Sequence, residues 1–447
     1  MAFCSVNFLA TLVFLVAVYW ALPRRARRVW LLVSSFIVYM AAGWHDLFLL
    51  LGVTFANWAG HKLFPSGRAP RVALIVGDLG VLAWFKYRLF LAGAVGLGGA
   101  GSLIIPLGLS FYIFQLIAYQ VEIMRGLIAA PPTFLSFLLY IFFFPHHQAG
   151  PIMRPHLFIR SFLEGRRWSP GRFKVGLLIV AWGLFKKIWI ADFLLSGRVN
   201  ALYADLAASG GHRGNALLLA VAYGAQIYAD LSGYSDIAVG LGRLFGFKLD
   251  RNFHQPYLAG GPSEFWRRWH VTLSRWLRDF LYIPLGGNRR GAWRTRVNVM
   301  IVMVLGGLWH GAAWTFVLWG FLHGLYLLLE RAVEPLLERF RALKYLLFQT
   351  LIMLAWLPFR ATRVGDLAVL VTRLDGWVSR DLLWAGALFA AVVGFSRAED
   401  ALERRFPRIA RRAALVPEPA LAMGCAAAVI LLFAGIKYDV MFIYQRF

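Results

Sequence analysis

Charge is scarce in this chain, and acid scarcer still. Of 447 residues only 15% are charged, with 22 Asp and Glu against 47 Lys and Arg. That is too little charge to cover a water-facing surface, which excludes an ordinary soluble globular domain. The 2 cysteines, Cys4 and Cys425, lie near opposite ends in apolar segments. No disulfide framework, CxxC pair or metal-type Cys/His spacing follows, and both read as structural filler. The absence of GxSxG, HExxH and P-loop patterns leaves serine hydrolase, zinc protease and NTPase readings without support. A GxGxxG match at 96–101 lies between apolar stretches with no strand before it, so it reads as a flexible loop.

What the chain has in quantity is apolar surface: 60% hydrophobic residues, 16% aromatic, and a mean hydropathy of +0.63. The net charge of +25 would suit nucleic acid, but the arginines cluster in short loops between apolar spans. The positive-inside rule expects this of an inner-membrane protein, and no nucleic-acid partner is expected. Residues 3–22 read as an uncleaved first span with its N-terminus outside and Arg24, Arg25, Arg27 and Arg28 in the cytoplasm. Further apolar stretches predict an all-α polytopic membrane protein of about eleven spans, with re-entrant or surface helices besides, as one domain over 1–447. Basic segments at 154–174, 248–296, 331–344 and 397–412 are expected in the cytoplasm, the 207–215 loop outside, and 360–396 on either side. Lys186 and Lys187, inside an apolar run, are expected to snorkel, and residues 148–151 to form a re-entrant turn.

The chemistry concentrates in 263–323. Its first part, 264–281, reads as one amphipathic helix started by Ser263 as N-cap with Glu264 in the first turn. Trp266, Trp269, Leu273, Trp276, Leu277 and Phe280 share a face; Arg267, Arg268, Arg275 and Arg278 take the opposite one, and His270 sits at the boundary. Tryptophans suit the membrane interface and arginines its anionic head groups or an anionic substrate, so this helix is expected to lie along the membrane surface. Beyond it, Trp309-His310-Gly311-Ala312 interrupts an apolar run, with Gly306 and Gly307 just before. An imidazole there is costly unless paired or facing a wet cavity, which makes His310 a candidate catalytic base or a helix-packing group. His270, 40 residues earlier, either bonds a neighbouring loop or works with His310. Trp269 and Trp309 wall a site near the histidines or simply pack. Arg267 and Arg278 belong to a stripe that faces anionic head groups or holds the anionic groups of a substrate. Asn252 reads as part of a folded loop shaping the cytoplasmic mouth.

Several motifs occur in family order: FFPHHQAGPIMR at 143–154, YSDIAVGLGRLFGFKLDRNFHQPY at 234–257, SEFWRRWHVTLSRWLRDFLYIPLGGN from 263, GLWHGAAWTFVLWGFLHG, and the terminal FIYQRF. Together they resemble the bacterial branch of the membrane-bound O-acyltransferase (MBOAT) family, whose members O-acetylate alginate, cellulose or peptidoglycan or D-alanylate teichoic acids. The resemblance implies helices around a central tunnel, His310 as catalytic base and His270 on the acyl-donor passage. It also implies Tyr444, in the terminal hexapeptide 442–447, as an acyl acceptor on the outer side; an aromatic membrane anchor is the plainer reading of that hexapeptide. The donor implied is a cytoplasmic thioester, acetyl-CoA or an acyl-carrier protein, with no bound cofactor or metal. The implied partners are membrane lipid and a second, extracytoplasmic acyltransferase acting on the polysaccharide. D-alanyl transfer, and a lipid-linked sugar transporter without covalent chemistry, are the alternatives.

Overall fold

The computed structural model describes residues 5–40, 44–95, 106, 108–146, 150–164, 167–209, 213–367 and 380–415. Cys4, Cys425, the 96–101 run, residues 148–149, the apolar stretch at 420–436 and the terminal 442–447 with Tyr444 lie outside these. Among the described residues every regular element is a helix. Two compact units form. The first is built from residues up to Trp182 together with Tyr234–Asp250, the second from Gly183–Gly233 and Arg251–Arg412.

In the first unit α1 (Val6–Ala21) starts on Ser5, whose hydroxyl accepts from the Phe8 N–H at 3.2 Å. It is followed by α2 (Arg24–Met40), α3 (Trp44–Leu63), α4 (Arg68–Leu82), α5 (Arg88–Ala94), α6 (Leu109–Met124), α7 (Phe134–Phe142) and α8 (Pro155–Leu163). These apolar helices share a buried polar ladder. Asn57 Nδ2 donates to Asp78 at 2.8 Å, and Gln120 Nε2 donates to Asn57 Oδ1 at 2.8 Å, so buried side-chain hydrogen bonds tie α3, α4 and α6 together.

The chain continues through α9 (Pro170–Leu184), a π-helical stretch (Phe185–Ser196), α10 (Gly197–Ser209) and α11 (Arg213–Leu244). Lys186 and Lys187 do not snorkel. They are buried, with Lys186 Nζ on Glu399 at 2.8 Å and Lys187 Nζ on Asp192 at 2.8 Å and on Asp230. Tyr228 donates its hydroxyl to the same Glu399. Carboxylates supplied by distant segments compensate these ammoniums in place, so they need not reach for water.

The rest of the second unit comprises α12 (Pro262–Arg268), α13 (Val271–Leu277), α14 (Gly291–His310), α15 (Trp314–Leu337), α16 (Arg341–Arg360) and α17 (Arg380–Leu415). The basic segment at 397–412 is therefore not a loop but the continuation of α17. Arg404 pairs with Asp400 one turn away, and Glu403 takes Arg251 at 2.7 Å and Gln255 at 2.8 Å. Among the described residues four helices are long and apolar enough to cross a membrane: Ala216–Leu244, Trp314–Leu337, Arg341–Arg360 and Arg380–Ile409.

Candidate active site

The stretch 264–281 is not one helix. It breaks at His270, whose φ of 41° lies in the left-handed region that a β-carbon disfavours by about 1–2 kcal/mol. Neither Gly nor Pro marks the break. Tertiary bonds impose it: Asn252 O accepts the Val271 N–H at 2.9 Å, Asn252 Oδ1 accepts the Thr272 N–H at 3.2 Å and its hydroxyl at 2.5 Å, and Arg268 O accepts the His254 N–H at 2.9 Å. Asn252, 1% exposed, is thus the residue that holds the His270 corner. A strained non-glycine residue over-determined by its surroundings is a recurrent mark of functional positions.

The start of this segment also differs from the expected cap. Gly261 is the N-cap and Pro262 fills the first turn, while the Ser263 N–H donates to Glu330 Oε2 of α15 at 2.8 Å. A β-carbon on Gly261 would meet that carboxylate, so any larger residue there would require the Glu330 side chain to shift. Glu264 bonds the Gly260 N–H at 2.8 Å and Arg268 at 2.7 Å. Burial would raise its carboxyl pKa, but those bonds and the charges of Arg268 and Arg267 hold it below the usual carboxylate value.

Most of the apolar face expected at the membrane interface is instead protein core, with Trp266 and Phe280 half-buried. Trp269, Leu273, Trp276 and Leu277 are buried. Trp269 stacks on Phe265 at 5.5 Å and meets Trp356 of α16 at 4.8 Å. On the arginine face Arg267 is exposed, Arg278, its side chain 62% exposed, is held by Asp279 at 2.7 Å, and Arg268 is half-buried on Glu264. None belongs to the buried cage around the histidines.

That cage is built mainly by α14 and α15. Gly307 of α14 lies against the Phe316 carbonyl and Gly320 of α15 against the Met303 carbonyl, each so close that a β-carbon would overlap the oxygen. This approach brings the last residue of α14, His310, into an aromatic wall. Its ring meets Trp309 at 4.9 Å, Trp319 at 5.0 Å and Phe359 at 5.2 Å. His270 meets the other side of the set, with Trp309 at 6.1 Å and Phe253 at 5.9 Å. Both histidines are only 4% exposed, and the Trp309 indole contacts both. The geometry therefore brings His270, Trp309 and His310 together, with Asn252 behind the first and Trp269 alongside. Burial pushes the His270 imidazole down to about 4, so it is neutral near pH 7.

Sequence reasoning assigned no role to His323. This fully buried residue of α15 contacts Trp319 at 4.7 Å and Trp266 at 5.2 Å, and neither ring nitrogen has a hydrogen-bond partner among the described residues. The signal that singles out His310, an imidazole in an apolar run beside glycines, holds equally for His323 between Gly320 and Gly324.

A match to the MBOAT, membrane-bound O-acyltransferase family, covers residues 125–356, the span that holds every member of this cage except Phe359. The chain belongs to that family; it is a membrane protein and an acyltransferase. Among individual relatives, a protein named probable alginate O-acetylase AlgI from Pseudomonas putida is 40% identical over 367 residues, 77% of this chain and 73% of the relative. A peptidoglycan O-acetyltransferase of Helicobacter pylori is 35% identical over 380 residues, 75% of this chain and 71% of its own. A teichoic acid D-alanyltransferase of Streptococcus thermophilus is 29% identical over 250 residues, 53% of this chain and 59% of its own.

Proposed function

We propose that this chain moves an acetyl group from a cytoplasmic thioester, such as acetyl-CoA, through the bacterial inner membrane for O-acetylation of an extracytoplasmic polysaccharide. The observation that carries this reading is the pair of buried histidines sharing the Trp309 indole within the family-matched region. His310 is the base. The acceptor hydroxyl oxygen attacks the thioester carbonyl, its proton passes to the imidazole, the new C–O bond forms as C–S breaks, and the leaving thiolate takes the proton. A thioester is already activated, so the residues need only orient it and carry that proton. His270 orients the donor, with Trp269 and Trp309 as walls. Arg267 and Arg278 receive donor phosphates at the cytoplasmic mouth.

In this reading the whole chain is one catalytic domain of about eleven spans plus re-entrant and surface helices, with both termini outside. Tyr444 accepts the acyl group there and passes it to a second, extracytoplasmic transferase. The Tyr444→Phe change keeps the ring and removes the oxygen, so polymer acetylation should vanish while membrane insertion persists; normal acetylation by that variant would reduce the terminus to an anchor.

Acetyl transfer is favoured over D-alanyl transfer because the acetylating relatives align with three-quarters of the chain and the D-alanylating one with 53%. The donor assay separates these. Purified protein should consume labelled acetyl-CoA and leave a D-alanyl carrier protein intact. The reverse would assign the other branch, and consumption of neither would remove the thioester-donor reading.

A further inference from the structure

The first unit holds a cavity of about 280 Å³ that the acyl-transfer reading does not use. Arg24, Arg25, Arg27 and Arg28, from the start of α2, all line it, and Leu31, Phe162 and Phe247 form its apolar wall. Arg27 is fixed as part of that wall. Its Nε donates to Leu22 O at 2.9 Å, its Nη2 to Trp20 O at 3.1 Å, and its guanidinium lies 4.7 Å from the Trp20 ring centroid. Arg24, Arg25 and Arg28 have no acidic or carbonyl partner among the described residues. Among the described residues the one carboxylate lining the cavity is Glu164, which pairs with Arg160 at 3.3 Å. Positive charge therefore collects in a concave space with little protein anion to balance it, and α2 carries no acid in its first turn.

A second feature runs out of the cavity. Along α2, Val29, Val33 and Ile37 are 52%, 40% and 45% exposed, and they recur every four residues as one apolar stripe leading away from the arginines. In a membrane protein such a stripe faces acyl chains. Trp168, 43% exposed and 4.9 Å from Trp20, is the kind of ring that marks head-group depth. Guanidinium groups form forked hydrogen bonds to phosphate oxygens. A polar anionic head beside an apolar track is the profile of a phospholipid.

We propose that this cavity binds the phosphodiester head group of an anionic phospholipid, held by Arg24, Arg25 and Arg28, with an acyl chain along Val29, Val33 and Ile37. A free phosphate or nucleotide would use the same arginines but not the stripe.

The test is native mass spectrometry of the full-length protein released from detergent with phosphatidylglycerol, phosphatidylcholine, or inorganic phosphate added. The wild type should retain phosphatidylglycerol over phosphatidylcholine. An arginine near an anionic surface changes binding roughly fivefold. The Arg25→Gln/Arg28→Gln variant should therefore retain phosphatidylglycerol about 25-fold more weakly, while Arg331→Gln/Arg339→Gln, at exposed positions elsewhere, should match wild type. Equal retention of both lipids, or equal loss in both double variants, would overturn the site. Displacement of phosphatidylglycerol by millimolar inorganic phosphate would make it a free-phosphate site. None of these readings depends on acyl transfer.

Discussion

His270 is held in a backbone conformation that its own side chain disfavours, by hydrogen bonds that Asn252 accepts from Val271 and Thr272 and that nothing in the local sequence announces. This corner explains why the segment reads as a continuous helix from periodicity alone: spacing reports a face, and a tertiary bond can turn the chain without altering it. The candidate residues His310 and Trp309 are legible because an imidazole in an apolar run is costly. Asn252 was legible only as a loop residue. A prediction at this scale follows from burial. The folded imidazole of His270 titrates near 4 and the unfolded one near 6.5, so between those values only the unfolded chain binds the proton. Stability from this residue is complete above pH 6.5 and is lost as pH falls toward 4. Thermal melting in detergent should therefore fall more steeply with acid for wild type than for His270→Gln; parallel curves would show that the imidazole is not desolvated.

At the scale of elements, helical type was legible almost everywhere, and helix ends much less so. The arginines of 397–412 suggest a cytoplasmic loop, yet Glu399, Asp400 and Glu403 supply pairs at helical spacing and to other segments, and α17 runs through to Leu415. Lys186 and Lys187 were misread for the same reason, since their partners lie far along the chain or one turn away. The contact of α14 with α15 is the element on which the cage depends. Replacing Gly320 by Ala places a β-carbon on the Met303 carbonyl and must push the helices apart. That should cost about 1–3 kcal/mol of stability and lower acyl transfer more than tenfold, because His310 and Trp319 sit on opposite helices. Wild-type transfer rates together with an unchanged melting temperature would show that the approach is not required.

For the whole molecule, composition announced the membrane and the motif order announced the family, but neither showed that Trp269 and Trp276 are core rather than interface. The same residues satisfy both patterns, and only packing against Phe265 and Trp356 decides between them. What unites the second unit is an aromatic interior closed around His310, with His270 across Trp309. Acyl transfer by this chain requires that imidazole to move the proton. The direct measurement is the rate of label transfer from acetyl-CoA by purified wild type and His310→Ala, each first shown to have the same melting temperature. Loss of a positioned base should lower the rate by about a hundredfold or more; a variant within twofold of wild type would contradict the assignment.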